Sequence, residues 1–88
     1  MATPELRVDC PDERKFAVVE RAARHFAAKY RVSTLDGVRI TFAEGWGLLR
    51  ASNTQPALVM RFEATSDQAL AAYRAEVEGW LAANTAPV

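Results

Sequence analysis

The sequence predicts an α+β fold, a two-layer sandwich in which two helices cover one face of a four-stranded, mainly antiparallel sheet. Two segments carry apolar residues at three- and four-residue steps, the period of an amphipathic helix packed on a core. Four further segments are predicted strands: residues 5–10 and 38–43 alternate polar and apolar side chains, and the two segments around residues 46–50 and 57–63 are apolar runs. The last three of these strands follow one another through short turns, which favours an antiparallel meander, so the order of elements is β-α-β-β-β-α.

The chain begins with a strand and a helix. Residues 5–10 alternate polar and apolar side chains, and Leu6 and Val8 are predicted to face inward. Residues 11–13, Pro-Asp-Glu, then suit a helix start, because proline has the φ of a first turn and carboxylates favour the positive end of the helix dipole. A helix of about four turns follows. Its predicted buried stripe consists of Phe16, Val19, Ala23, Phe26, Ala27 and Tyr30.

Turn residues separate the strands of the meander. The segment from Val32 to Leu35 is β-branched but short, and we do not count it among the four strands. Asp36-Gly37, a dipeptide typical of tight hairpin turns, leads into the next strand, and Glu44-Gly45 turns the chain again. The predicted strands are residues 38–43, in which Val38, Ile40 and Phe42 are the apolar positions, then Trp46 to Arg50, and Ala57 to Glu63.

The last element is a second helix. Thr65 and Gln68, three residues apart, fit a capping box at its start. From Ala82 to Val88 the sequence has no pattern, and we expect this tail to fray. Residues 1–88 are predicted to be one domain with an ordered core over about residues 5–82. The apolar stripe of the second helix consists of Leu70, Tyr73, Val77, Trp80 and Leu81.

Composition narrows the class of protein. The 88 residues are 50% hydrophobic and 25% charged, which is ordinary for a globular domain that we expect to be monomeric. Eleven basic and eleven acidic residues give a net charge of zero, which argues against nucleic acid or an anionic membrane as the main partner. We find no signal pattern and no membrane-length apolar run. Cys10 is the only cysteine, so no internal disulfide is possible, and a reduced, cytoplasmic setting fits.

The richest polar segment is Arg50-Ala51-Ser52-Asn53-Thr54-Gln55-Pro56, which lies between two predicted strands. The Arg50 guanidinium can bind a phosphate through two parallel hydrogen bonds, and Ser52 and Thr54 offer hydroxyl donors. Asn53 tolerates a left-handed backbone, which would turn successive N–H groups inward as an anion-binding nest. The residues alone are also compatible with an ordinary polar turn in which the arginine is solvated.

The remaining candidates have simpler interpretations. His25 is a possible base or metal ligand, but a surface position on the helix is favoured, since no second His supports either role. Asp36 and Glu44 occupy successive turns at opposite ends of a strand, so they do not form a carboxylate pair. Trp46 and Trp80 could stack on a sugar, although a core position is favoured for both. We identify no catalytic residue and no metal-ligand cluster, so the sequence predicts binding rather than catalysis.

Two runs resemble a known family: Asp36-Gly-Val-Arg-Ile, and Glu44-Gly-Trp-Gly-Leu-Leu-Arg-Ala-Ser-Asn-Thr-Gln-Pro-Ala-Leu-Val-Met-Arg-Phe-Glu-Ala. They look like the C-terminal domain of bacterial phosphomannomutase/phosphoglucomutase, in the α-D-phosphohexomutase superfamily. The most specific features are the Asp-Gly-Val turn, the Gly-Trp pair and the Arg-x-Ser-Asn-Thr-x-Pro motif, and the resemblance covers residues ~5 to ~82. The family's domain resembles the TATA-box-binding-protein fold, in agreement with the predicted order of elements.

The resemblance implies a four-domain parent enzyme that interconverts hexose 1-phosphates and 6-phosphates through a hexose 1,6-bisphosphate. A phosphoserine, a Mg²⁺-binding loop and a sugar-reading loop belong to the other three domains. The last domain holds the phosphate that is not being transferred, and Arg50, Ser52, Asn53 and Thr54 match the residues that do so. Gln55 stands where the family often has Glu. The implied partners are a glucose or mannose phosphate and the parent's other domains; the alternative is a free-standing protein-interaction module.

Overall fold

The computed structural model describes residues 1–85 and contains one antiparallel sheet covered by two helices. Its strands lie in the order β1-β5-β4-β3-β2, and each pair of neighbours is antiparallel. The α+β class is therefore confirmed. The elements are β1 (Leu6–Asp9), α1 (Asp12–Ala27), β2 (Arg31–Ser33), β3 (Val38–Phe42), β4 (Gly45–Ala51), β5 (Ala57–Ala64) and α2 (Asp67–Thr85).

The core lies between the helices and one face of the sheet. Phe26 of α1 and Val77 of α2 belong to the same buried cluster as Ile40, Leu49 and Met60 of the sheet. One cluster shared by both helices shows that they cover the same face, as predicted. The opposite face of the sheet is left without a covering layer among the described residues.

The prediction of four strands is wrong, since the sheet has five. The additional strand, β2, pairs with β3 at the sheet edge, with Val32 opposite Ile40. Gly37 has a φ of 71°, which lets the chain reverse between the two strands at a conformation that glycine adopts without cost. A three-residue edge strand buries little, so its sequence carries a weak periodic signal.

The predicted buried stripe of α1 is also partly wrong. Phe16 is 62% exposed, and the side chains that face the core are Val18, Ala22 and Phe26, joined by Lys15. The predicted positions Val19, Ala23 and Tyr30 are half-buried, and Ala27 is exposed. Apolar residues occupy a broad arc of this helix, so their spacing predicts the helix but does not fix which line along it points at the sheet.

The N-terminal cap of helix α2 lies one residue later than predicted. The Ala69 N–H donates to Ser66 Oγ at 3.1 Å, so Ser66 caps the helix. Thr65 instead donates its hydroxyl to Glu44 Oε1 at 3.2 Å, which joins the helix start to the β3–β4 turn. The proposed box of Thr65 and Gln68 is therefore wrong.

The apolar stripe of α2 is confirmed. Val77 and Leu81 are buried, and Leu70, Tyr73 and Trp80 are packed against the core.

The end of α2 extends further than expected. The helix continues to Thr85, where the sequence analysis expected fraying from Ala82. Asn84 Nδ2 donates to the Trp80 carbonyl at 2.8 Å, and Arg21 of α1 donates to the Asn84 carbonyl at 3.1 Å. These bonds account for the extra turn. The rest of the expected tail, residues 86–88, lies outside the described residues.

Candidate functional site

The polar segment forms a closed loop between two central strands. In the β4–β5 ladder Arg50 lies opposite Val59 and Ala51 lies opposite Leu58, so the base of the loop is part of the sheet. The Ser52 N–H donates to the Ala57 carbonyl at 2.9 Å, which closes residues 52–57 into a compact turn. A loop with both ends in a ladder loses little further freedom when a ligand binds.

Ser52 organises the inside of this loop. Its Oγ accepts hydrogen bonds from the backbone N–H groups of Thr54 and Gln55, at 3.4 and 3.2 Å. Two consecutive N–H groups therefore point toward one centre, as in a backbone anion site. The backbone conformation that brings these N–H groups together differs from the predicted one. Among the described residues no non-glycine residue has a positive φ, so the backbone of Asn53 is not left-handed.

Arg50 lies at the mouth of the loop with its guanidinium largely free. Its side chain is 41% exposed, and Nη1 lies 4.0 Å from Oδ2 of Asp36, which is 77% exposed. A pair this long and this exposed contributes little, so the guanidinium remains available to another anion. Gly37 makes room for this approach, because a Cβ at that position would lie 2.6 Å from Arg50 Cβ.

Lys15 holds the loop against α1, and the sequence analysis missed it. Its Nζ donates to the Gln55 carbonyl at 3.1 Å and pairs with Asp12 at 2.8 Å, although the side chain is only 6% exposed. Buried charged groups are rare unless they are paired in this way. Its three-residue spacing from Val18 becomes a signal only once the structure shows which line of the helix is buried.

The N-terminal strand supports the other side of the loop. The Cys10 N–H, just after β1, donates to the Pro56 carbonyl at 2.9 Å. The Cys10 thiol is buried, and burial raises its pKa above the usual range. A buried, protonated thiol is a poor nucleophile, so Cys10 serves packing.

An open cleft of about 520 Å³ lies between the loop and α1. Arg50 and Asn53 line it from the loop side, and Phe16 and Arg24 line it from the helix. The structure therefore brings Arg50 and Asn53 to one cleft. Thr54 is exposed on the same loop, outside the residues that line the cleft.

Two of the other candidates agree with the simpler interpretations. His25 is exposed on α1, where its ring packs 5.6 Å from that of Trp80. Asp36 and Glu44 lie before and after β3, at opposite ends of that strand. Neither arrangement provides a base held against a nucleophile.

The two tryptophans differ. Trp80 packs against the core with its ring centroid 5.9 Å from that of Phe26, as predicted. Trp46 does not pack against the core, contrary to the prediction. Its neighbour Gly47 faces the core, where an added Cβ would lie 2.8 Å from the Phe62 ring. Because successive side chains of a strand point to opposite faces of the sheet, Trp46 points to the other face. There it donates to Glu63 at 3.3 Å and lies under the Arg39 guanidinium, 4.4 Å away.

Residues 1–85 contain no group of three or more His, Cys, Asp or Glu side chains close enough to hold a metal ion. Neither helix in this part of the chain combines the length and the hydropathy of a membrane-spanning helix.

Comparison with known proteins identifies the family. Residues 5–79 match the family model described as phosphoglucomutase/phosphomannomutase, C-terminal domain. A phosphomannomutase/phosphoglucomutase of Pseudomonas putida is 48% identical over 71 residues, which are 80% of this chain and 15% of that protein. A phosphoglucomutase of Neisseria gonorrhoeae is 41% identical over 73 residues, covering 80% of this chain and 16% of that protein.

A solved structure shows the same fold. A phosphoglucomutase/phosphomannomutase family protein of Burkholderia thailandensis superposes with a TM-score of 0.72 at 35% identity, covering 94% of this chain and 17% of that one. The chain therefore belongs to the phosphoglucomutase/phosphomannomutase family and corresponds to its C-terminal domain. It spans about 15 to 17% of the length of these relatives.

Proposed function

We propose that this chain is the phosphate-binding domain of a phosphohexomutase and holds the non-transferred phosphate of a hexose phosphate. The observation that carries the proposal is the closed loop, in which two backbone N–H groups converge on one centre and whose base carries the exposed guanidinium of Arg50. Ser52, Asn53 and Thr54 complete the set of donors. A doubly charged oxyanion needs several donors at once, and few other turns in a neutral domain would collect them.

Binding would exchange weak internal contacts for stronger ones. The N–H groups of Thr54 and Gln55 lie 3.4 and 3.2 Å from Ser52 Oγ, which is long for a good hydrogen bond. A phosphate oxygen can replace that hydroxyl as the acceptor, and the hydroxyl can then donate to the phosphate. Arg50 would contribute two parallel hydrogen bonds, with Asp36 left in solvent.

Such a site suits a bisphosphorylated intermediate that must turn round during the reaction. Either phosphate has to occupy the holding site in turn, so the site must bind the phosphate without demanding one orientation of the sugar. Charge-assisted bonds to a symmetric group meet that requirement. Closure of a domain over the cleft would also exclude water and protect the reacting phosphate from hydrolysis.

The chemistry itself would belong to other domains of the parent enzyme. Within residues 1–85 no group of three or more His, Cys, Asp or Glu side chains is placed to hold a metal ion. We expect this domain alone to be inactive as a mutase, and we expect a cytoplasmic parent enzyme whose other domains hold the metal. The domain alone should bind hexose phosphates near the millimolar range, because much of the sugar contact is missing.

The proposal can be tested by titrating the 88-residue chain with inorganic phosphate while its amide chemical shifts are recorded. We expect saturable shifts concentrated in residues 50–56. The Arg50→Ala variant should lose them, while Arg61→Ala, the same change in the middle of β5, should retain them. If the loop amides did not respond at tens of millimolar phosphate, the proposed role would be wrong and a protein-interaction module would be the better account.

A further inference from the structure

The cleft beside the phosphate loop has an apolar wall that phosphate binding does not explain. Phe16 is 62% exposed, an unusual position for a large aromatic residue in a small domain. Its ring, together with the half-buried Val19 and Ala23, forms the α1 side of the cleft. Arg50 and Asn53 form the opposite side. A ligand that fills this cleft would therefore touch both the loop and the apolar wall.

One buried side chain lies next to both the loop and the wall. Lys15 Nζ donates to the Gln55 carbonyl at 3.1 Å and lies 5.3 Å from the centroid of the Phe16 ring. The same ammonium group thus contacts both the loop and the aromatic ring. The aromatic ring and the loop are therefore neighbours within this domain.

The rest of the cleft is polar. Glu20 and Arg24 of α1, and Thr34 and Asp36 near the β2–β3 turn, line it beside the apolar wall. A hexose matches this pattern, because the C–H bonds on one face of the ring are apolar and its rim carries hydroxyl groups. The cleft volume of about 520 Å³ is within the range of small-molecule sites.

We infer that the α1 wall binds the sugar ring of the hexose phosphate whose phosphate the loop holds, with Phe16 as a stacking platform. The inference rests on the proposed function and adds a sugar contact within this chain to the phosphate contact. Phe16 would then contribute to sugar recognition, and its exposure in the free domain would have a functional reason.

The test compares two ligands on the same chain. The wild-type domain should bind glucose 1-phosphate about threefold to tenfold more tightly than inorganic phosphate, since an aromatic contact adds a modest gain. Phe16→Ala should abolish that difference and leave the dissociation constant for inorganic phosphate unchanged. Phe16→Trp should preserve the difference. Leu35→Ala is the matched control, because Leu35 is 98% exposed and does not line the cleft, and it should change neither constant.

The outcomes distinguish a sugar contact at Phe16 from phosphate binding by the loop. Nuclear Overhauser effects between the Phe16 ring and sugar C–H protons would support the inference directly. If phosphate shifted the loop amides but glucose 1-phosphate bound no more tightly, or if Phe16→Ala kept the difference, the inference would be overturned and the phosphate site would stand. If neither ligand shifted the loop amides, both would fall.

Discussion

Among single residues, Arg50 combines a fixed backbone with a free guanidinium. Its main chain is held in the β4–β5 ladder, while its side chain is 41% exposed and meets Asp36 only at 4.0 Å. The structure thus positions the charge without neutralising it. A group of this kind contributes to binding a ligand while contributing little to the stability of the free domain.

Arg50→Ala should weaken phosphate binding about tenfold to a hundredfold, because a hydrogen bond to a charged group contributes roughly 1.5–3 kcal/mol. The free energy of unfolding should change by less than about 0.5 kcal/mol, as is usual for exposed positions. Calorimetric titration and thermal unfolding measure the two quantities. Arg61→Ala is the control and should leave phosphate affinity unchanged. Equal losses in both variants would point to general charge rather than a site.

Asp36→Asn should strengthen phosphate binding, by about twofold at low salt, because it removes a carboxylate that competes with phosphate for Arg50. Asparagine is nearly isosteric and is tolerated in turns, so the Asp36-Gly37 turn should be retained. The gain should shrink as added salt screens the charges. Titrations at two ionic strengths check this, and an affinity that is unchanged or lower at low salt would count against the competition.

At the scale of elements, Lys15 connects α1 to the β4–β5 loop through the Gln55 carbonyl. Lys15→Met should change the free energy of unfolding by less than about 1 kcal/mol, because replacing a buried ion with an apolar side chain is often neutral. The loop should nonetheless become more mobile, so that amide exchange at residues 53–55 accelerates and phosphate affinity falls. Hydrogen exchange and titration measure these effects. Unchanged exchange together with unchanged affinity would mean that the Lys15–Gln55 bond does not position the loop.

The elements differ in how far the sequence predicts them. The two helices and strands β1, β3, β4 and β5 follow from local periodicity and turn residues, and the structure confirms them. The additional strand β2 depends on pairing with β3 across a turn, which a three-residue segment does not signal by itself. The cap of α2 is Ser66 instead of Thr65, because the Thr65 hydroxyl donates its hydrogen bond to Glu44, a residue distant in the sequence.

The residues of the candidate site also differ in how far the sequence predicts them. Arg50 and Ser52 could be selected because their chemistry is concentrated in one short segment. The positions of Lys15 and Phe16 beside the loop could not be predicted from the sequence, because they depend on how α1 is rotated against the sheet. That rotation is set by packing among Val18, Phe26 and the strands, and a helix with a broad apolar arc is compatible with more than one rotation.

At the scale of the whole molecule, a polar cluster joins the turn after α1 to α2. The Tyr30 hydroxyl donates to Glu76 at 2.7 Å, and Lys29 pairs with the same carboxylate at 3.0 Å. The hydrogen bond to Glu76 raises the pKa of Tyr30 to about 12. Burial opposes ionisation of Glu76, but the hydrogen bonds from Tyr30 and Lys29 outweigh it, so the pKa of Glu76 is lowered below its usual value of 4.5.

These shifts predict two losses of stability with pH. The contribution of Glu76 is present above its unfolded pKa and is lost as pH falls through the lower, folded value. The contribution of Tyr30 is present below pH 10 and is lost as pH rises from 10 toward about 12. Glu76→Gln should reduce both losses, which urea unfolding across pH can measure. An unchanged pH profile in this variant would show that other groups dominate.

The central claim is that residues 50–56 hold a phosphate, and a crystal structure of the 88-residue chain grown with glucose 1-phosphate tests it most directly. We expect the phosphate group to lie within hydrogen-bonding distance of the Arg50 guanidinium and of the backbone N–H groups of Thr54 and Gln55. Density for the phosphate group against Arg39 or Arg61 on the open sheet face, with the loop unchanged and empty, would contradict it.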